Sequence, residues 1–270
     1  MDALLQMYGW LKAQEWRTLV FLFVSIGILI YSLVVLVGFI YKTKQWSAVD
    51  LWYALFFIAA WSTVLWWFTS LAVPLLNWPS LLFLPLHFGL WLGPLYFIFV
   101  KCELYNGEAN SWKDLKHFIL PLSHLSFYFF AFLSPIAIKI SLWNGAYSQY
   151  YSALEFGSFG LMFNLYMYFS YRFVKYALSQ QGEDAARAVM LSWLKRVTRV
   201  WWFVSITIMI FGAISMIDAF LFDHLLGLHY PALIAYGVLL GSLSWAALHA
   251  ILMKALPRNS EYARRLMNRR

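Results

Sequence analysis

Charged residues fall along this chain in clusters separated by long uncharged runs, and the runs have the length of membrane crossings. Thr18 to Tyr41 carries no charge over 24 residues, with Arg17 before it and Lys42 and Lys44 after it. A helix that crosses the hydrocarbon core needs about 20 predominantly apolar residues, so this run predicts a span at 18–41. From Leu51 to Val100 there is again no charge. That is too long for one crossing, and Pro74, Asn77, Pro79 and Ser80 break it in the middle as a tight turn does. It predicts two spans, at 51–73 and 81–100. The same logic predicts four more, at 117–137, 153–174, 200–222 and 232–253, the last two joined by Asp223 to Pro231. The predicted fold class is an all-α integral membrane protein, a bundle of seven transmembrane helices. Segment 117–137 carries His117, Pro121, His124 and Pro135, so it is the span expected to be tilted or broken.

Composition agrees. Hydrophobic residues fill 63% of the 270 positions and charged residues 12%, against roughly 45–50% and 25% in a soluble domain. Seven spans take up about 140–160 positions, which leaves no room for a second soluble domain of ordinary size. The single cysteine, Cys102, excludes an intrachain disulfide and a cysteine-rich metal site.

The net charge of +8 would point a soluble protein toward nucleic acid; here its distribution matters more. Segments after spans one, three, five and seven hold 17 of the Lys and Arg residues. The other side holds three, Lys12, Arg17 and Lys139. Cytoplasmic segments are enriched in Lys and Arg, so the N-terminus is expected outside and the C-terminus in the cytoplasm, in agreement with an odd number of spans. Counting acidic residues, the inner side is +10 and the outer side −2. Anionic lipids at the inner face are therefore an expected partner, and direct nucleic-acid binding is not expected. Residues 1–17 read as a short extracytoplasmic interfacial segment. They do not read as a cleaved signal, because the first apolar run is too long and lacks a small-residue cleavage site. Residues 254–270 read as a basic cytoplasmic tail. Trp46, Trp52, Trp78, Trp112, Trp143, Trp201 and Trp202 fall near span ends, as interfacial anchors do, whereas Trp61, Trp66 and Trp67 lie deeper.

Ionisable groups inside hydrocarbon are costly and usually face a cavity or a partner. His87 in span three, Glu155 near the outer end of span five and Asp218 near the outer end of span six all fall in the predicted outer half, beside Asp223, His224 and His229 of the short outer loop. One reading is an outward-open polar pocket for a small ligand, a cation or a proton. The other is that the carboxylates snorkel to water and the histidines are ordinary loop residues. Asn164, mid-way along span five, either bonds a neighbouring helix or lines the pocket. His117 and His124, seven apart, share a face toward the inner leaflet and are expected to hydrogen bond within the bundle. Asp223, His224 and His229 have only loose metal-ligand spacing, so neither a metal centre nor a cofactor is expected. Gly89 with Gly93, and Gly237 with Gly241, have the spacing that lets helix backbones approach closely.

Catalytic residues are not assigned. The sequence has no HExxH, no GxSxG and no phosphate-binding Walker loop. Lys254, at the cytoplasmic boundary, is misplaced for a retinal Schiff base. Between spans five and six, Glu183 and Asp184 open a helix and Lys195, Arg196 and Arg199 close it, which suits the helix dipole. Val189, Met190, Trp193, Leu194 and Val197 form an apolar stripe along it. This helix is expected at the inner interface and to run into span six. Trp193, Lys195, Arg196 and Arg199 are expected to contact lipid or to couple the bundle to a partner.

Three short motifs carry a resemblance. Gly93-Pro94-Leu95-Tyr96, the linker Trp112-Lys113-Asp114-Leu115-Lys116-His117-Phe118 leading to Pro121, and Leu191-Ser192-Trp193-Leu194-Lys195-Arg196 resemble, in order and spacing over residues 20–255, the seven-helix membrane domain of membrane-anchored bacterial regulators of the AraC type. The resemblance implies a bacterial cytoplasmic (inner) membrane and a sensing or anchoring role with a cytoplasmic output. The family's helix-turn-helix domain would follow span seven, where this sequence has 17 residues, so signalling through a separate membrane or cytoplasmic partner is expected. The leading expectation is a sensor, signalling or accessory protein that binds a small or lipidic ligand, or a membrane partner, in its outer half. The rivals are a membrane-embedded enzyme or transporter for a lipid or small metabolite, and a structural subunit.

Overall fold

In the computed structural model, the described residues are 16–42, 47–72, 78–105, 112–180, 185–221 and 235–245. They are predominantly helical, with no strand among them. The helices are α1 (Trp16–Lys42), α2 (Ala48–Ala72), α3 (Gly89–Leu104), α4 (Ile119–Leu133), α5 (Ile136–Leu142), α6 (Ser152–Ser179), α7 (Ala185–Leu221) and α8 (235–245). Short 3₁₀ turns cover Pro79–Leu81 and Trp112–Phe118, and a wide π-type turn covers Trp143–Tyr151. Three stretches are long and apolar enough to cross a membrane: Phe23–Tyr41, Ala48–Thr69 and Arg187–Leu221. The segment 1–15, Asp223, His224, His229 and the tail 254–270 lie outside the described residues.

The local chemistry explains several boundaries. Ser47 and Asp50 cap α2 reciprocally: the Asp50 N–H donates to Ser47 Oγ at 3.2 Å, and the Ser47 N–H donates back to Asp50 Oδ2 at 3.3 Å. Such a capping box satisfies donors that the helix start leaves without partners. Helix α1 buries Ser25, Leu29, Ser32, Leu36 and Phe39, a four-three repeat that forms one narrow seam, and exposes most of its other apolar residues. The Leu29 carbonyl on that seam accepts from Ser32 Oγ at 2.9 Å and from Trp61 Nε1 of α2 at 3.1 Å.

Two predicted spans have a different form. The run expected at 81–100 begins its helix only at Gly89, and residues 82–88 are irregular. Pro85 lacks an N–H and disfavours helical backbone in the residue before it, a constraint that hydropathy does not register. Phe83 sits in the left-handed region at φ 60°, with its side chain fully buried. Left-handed backbone costs a non-glycine residue about 1–3 kcal/mol, and here the ring is packed edge-on against Phe127, Trp143 and Tyr147. The run expected at 117–137 is split: 3₁₀ to Phe118, helical to Leu133, then broken at Ser134-Pro135 before α5. At 16 and 15 residues, α3 and α4 are each shorter than a single crossing of about 20.

Helices α6 and α7 pack closely. A Cβ on Gly160 would lie 2.6 Å from the Met209 backbone, and one on Gly212 would lie 3.0 Å from the Gly157 Cα. The expected close packing at Gly89 and Gly93 is also present, against Phe159 and Tyr166 of α6. Gly237 and Gly241 meet nothing within 4 Å among the described residues. The amphipathic segment before span six continues into it as one helix of 37 residues, α7. Its buried face runs through Leu191, Leu194, Val197 and Trp201, while Val189, expected in the stripe, is exposed.

Candidate functional site: a buried carboxylate shared by two histidines

Residues from four separate segments converge on Glu155. His87 comes from the irregular run before α3, and His124 and Tyr128 come from one face of α4, where a spacing of four places them a turn apart. Tyr147 comes from the π-type turn, and Glu155 itself lies at the start of α6, which continues directly from that turn. Gly145, with φ −93° and ψ −124°, breaks the helical path just before Tyr147. Gly89 fits close against the His87 ring, since a Cβ there would stand 3.1 Å from both the imidazole and Phe159.

The geometry centres on one oxygen. His124 Nε2 is hydrogen-bonded to Glu155 Oε1 at 2.7 Å, and His87 Nδ1 lies 2.6 Å from the same oxygen. The two contacts differ in kind. The His87 nitrogen is out of line for a hydrogen bond, and neither it nor His124 Nδ1 has a hydrogen-bond partner among the described residues. Tyr128 Oη donates to the carboxylate, 2.9 Å from Oε1 and 3.0 Å from Oε2, and Tyr147 Oη lies 3.2 Å from Oε2. The two hydroxyls are 2.6 Å apart. His87, His124 and Glu155 are 3%, 6% and 8% exposed. A carboxylate so enclosed is costly unless hydrogen bonds or opposite charge compensate it.

One side of this group opens onto a cavity of about 190 Å³ lined by Leu90, Leu120, Ser123, His124, Tyr151, Leu154, Glu155 and Ser158. It is smaller than the roughly 300–1,000 Å³ of pockets for drug-sized ligands, and suits a head group or a small molecule. Its rim is apolar, as Leu120 and Leu154 are exposed. Pro94, one turn beyond Leu90, has no N–H to give the Leu90 carbonyl. Burial, followed by the Glu155 charge, pushes the Tyr151 hydroxyl up to about 12, so it remains protonated and able to donate near neutral pH.

The structure thus brings two expected pocket residues together, His87 and Glu155, and adds His124, Tyr128 and Tyr147. The expected hydrogen bonding of His117 and His124 within the bundle is present but with separate partners: His124 meets Glu155, whereas His117, in the 3₁₀ turn before α4, has Nδ1 2.8 Å from Tyr166 Oη. The missed signals were the four-residue spacings His124-Tyr128 and Tyr151-Glu155. Asp218 is buried on α7 and is not part of this group. Asn164 donates to Ser205 Oγ of α7 at 3.3 Å, and Ser205 in turn donates to the Trp202 carbonyl; its expected interhelical bond is present. Trp193 and Lys195 are half-buried on α7, and Arg196 and Arg199 are exposed.

Comparison with known families, characterised proteins and solved structures gives no match.

Proposed function

We infer that the chain is a seven-span bacterial inner-membrane protein of the sensor or accessory class, with its N-terminus outside. It takes a small ligand or lipid head group into the cavity beside Glu155 and acts through a separate partner. The observation that carries this reading is the placement of His124 and Glu155 in the wall of a small, apolar-rimmed cavity. Aliphatic rim residues suit an acyl chain, and the imidazole, carboxylate and Ser158 suit a polar head. The cavity lies against α6, which packs through Gly157, Gly160 and Gly212 onto α7. The opposite part of α7 carries Lys195, Arg196 and Arg199, which suit an anionic inner leaflet or an acidic partner surface. The sequence likeness to membrane-anchored AraC-type regulators favours the same class.

Lipid and small molecules extracted with the full chain from membranes, then measured by mass spectrometry, test this reading. Ser158→Trp fills the cavity and is expected to lower a specifically retained species at least tenfold, whereas Phe203→Trp, on the exposed face of α7, leaves it unchanged. An identical complement in both variants and the wild type would sink the proposal. The second reading, a membrane-embedded enzyme, is favoured by the histidine pair on one carboxylate beside an open cavity. Turnover of the retained species by the wild type, lost in Ser158→Trp, would decide for it.

A further inference from the structure

We propose that His87 Nδ1, His124 Nε2 and a Glu155 oxygen bind one divalent first-row transition-metal ion, of which zinc is the working example, with a coordination position open to the cavity. The proposal deepens the reading of this cavity as a binding site and rests on it, by naming what would hold the ligand's polar end.

Three observations carry it. First, the three donor atoms lie within 4.8 Å of one another, in side chains more than nine-tenths buried. Donors about 2.1 Å from one tetrahedral ion stand roughly 3.4 Å apart, so the two nitrogen–oxygen contacts, at 2.6 and 2.7 Å, lengthen by under about 1 Å on binding and the two imidazoles adjust to the same spacing. Second, His87 Nδ1 stands 2.6 Å from the carboxylate oxygen with its in-plane lone-pair direction off the line to that oxygen, and it has no hydrogen-bond partner among the described residues. A lone pair directed at a shared ion accounts for a nitrogen and an oxygen that face each other without a proton in line. Third, the carboxylate is held from the side away from the imidazoles: Tyr147 reaches Oε2 and Tyr128 bridges both oxygens, at 2.9 Å from Oε1 and 3.0 Å from Oε2. Outer hydrogen bonds of this kind fix ligating carboxylates in metal sites.

The donor chemistry sets the class of ion. Two imidazoles and one carboxylate suit zinc or iron(II), whereas calcium and magnesium favour all-oxygen sites. Three protein ligands leave a fourth position for water or an incoming oxygen, and the cavity lies on the side of His124 and Glu155. To ligate, His124 Nε2 gives up the proton it shares with Glu155, either to its own Nδ1 or to solvent; the bound ion then acts as a fixed positive charge that an anionic or carbonyl head group approaches.

Untagged full-length protein in detergent, stripped with a chelator and dialysed against zinc, tests the proposal through bound metal measured by mass spectrometry. One ion per chain is expected. His87→Gln and Glu155→Gln are expected to weaken uptake at least 100-fold, and Tyr147→Phe, which keeps every ligand, about tenfold. His117→Gln, outside the group, leaves uptake unchanged. Cobalt(II) titration of the wild type is expected to give visible ligand-field bands of a nitrogen-ligated, four- or five-coordinate site, a readout independent of any variant's folding. Absence of those bands, or equal uptake by the wild type and Glu155→Gln, overturns the metal site. If retention of a cavity ligand still depends on Ser158 in that case, the binding function stands and only the ion is lost.

Discussion

The molecule has two aromatic cores that differ in how they treat polar atoms. The larger, around Phe56, Tyr96, Phe99, Phe163 and Trp201, joins α2, α3, α6 and α7 and is dominated by ring-on-ring packing, such as Phe56 against Trp201 at 4.9 Å between centroids. The Trp201 Nε1 is buried there without a hydrogen-bond partner among the described residues. One polar bond crosses it between helices: Tyr96 of α3 donates to Thr198 Oγ1 of α7 at 2.9 Å, as Thr198 gives its own proton to the Leu194 carbonyl. The smaller core, around Phe83, Tyr128 and Tyr147, is built largely from irregular or broken segments and turns its hydroxyls onto one carboxylate. Irregular backbone at membrane depth is tolerated where protein surrounds it. The difference separates two uses of the same residue types: aromatic rings as filler in one core, and as a dry wall around a charge in the other.

That distinction can be broken by substitution. The largest effect is expected from Trp201→Ala, which removes the central side chain of the larger core. A loss of about 3–5 kcal/mol is expected, read by unfolding in mixed detergent, while metal or ligand binding by the folded fraction is retained. Tyr128→Phe keeps the ring of the smaller core and deletes only a hydroxyl that serves a charged acceptor. It is expected to cost about 1.5–3 kcal/mol, whereas Tyr96→Phe in the larger core, which deletes a hydroxyl bonded to the neutral Thr198 Oγ1, is expected to cost about 0.5–1.5 kcal/mol. If the two conservative changes cost the same, the two cores do not differ as argued.

A smaller, kinetic effect concerns Cys102, buried in the larger core. Burial first, then the Asp114 charge, pushes its thiol up to about 11. Reactivity belongs to the thiolate, so alkylation of the folded chain is expected to be slow at pH 8 and to rise about tenfold per pH unit toward the thiol's pKa. Detergent unfolding should abolish that protection. Fast, pH-independent labelling of the folded protein would contradict the sealed core.

Much of this architecture was legible in the sequence because charge clusters bracket helix ends. Predicted limits of 51–73 and 153–174 compare with Ala48–Ala72 and Ser152–Ser179, and the fusion of the fifth loop with the sixth predicted span followed from its helix-forming residues. What hydropathy missed was backbone state inside apolar runs. Leu81 to Phe88 is as hydrophobic as a helix, yet Pro85 and its neighbours fold into an irregular wall. His87 and Glu155 stood out as ionisable groups in apolar surroundings. Their meeting with His124 depends on the break at Ser134-Pro135 and the turn at Trp143–Tyr151, which set how α4 and α6 face one another, and no local pattern encodes that distance.

The single helix α7 turns this arrangement into a lever. From Gly212, pressed against Gly157, to Arg187 is about 25 residues, or roughly 37 Å at 1.5 Å per residue. A pivot of about 5° at the glycine contact would carry Arg187 about 3 Å, comparable to a hydrogen-bond length and enough to break its 3.3 Å bond to the Leu104 carbonyl. The same motion would shear Leu191, Leu194, Val197 and Trp201, buried along that arm, so their packing sets how stiff the lever is.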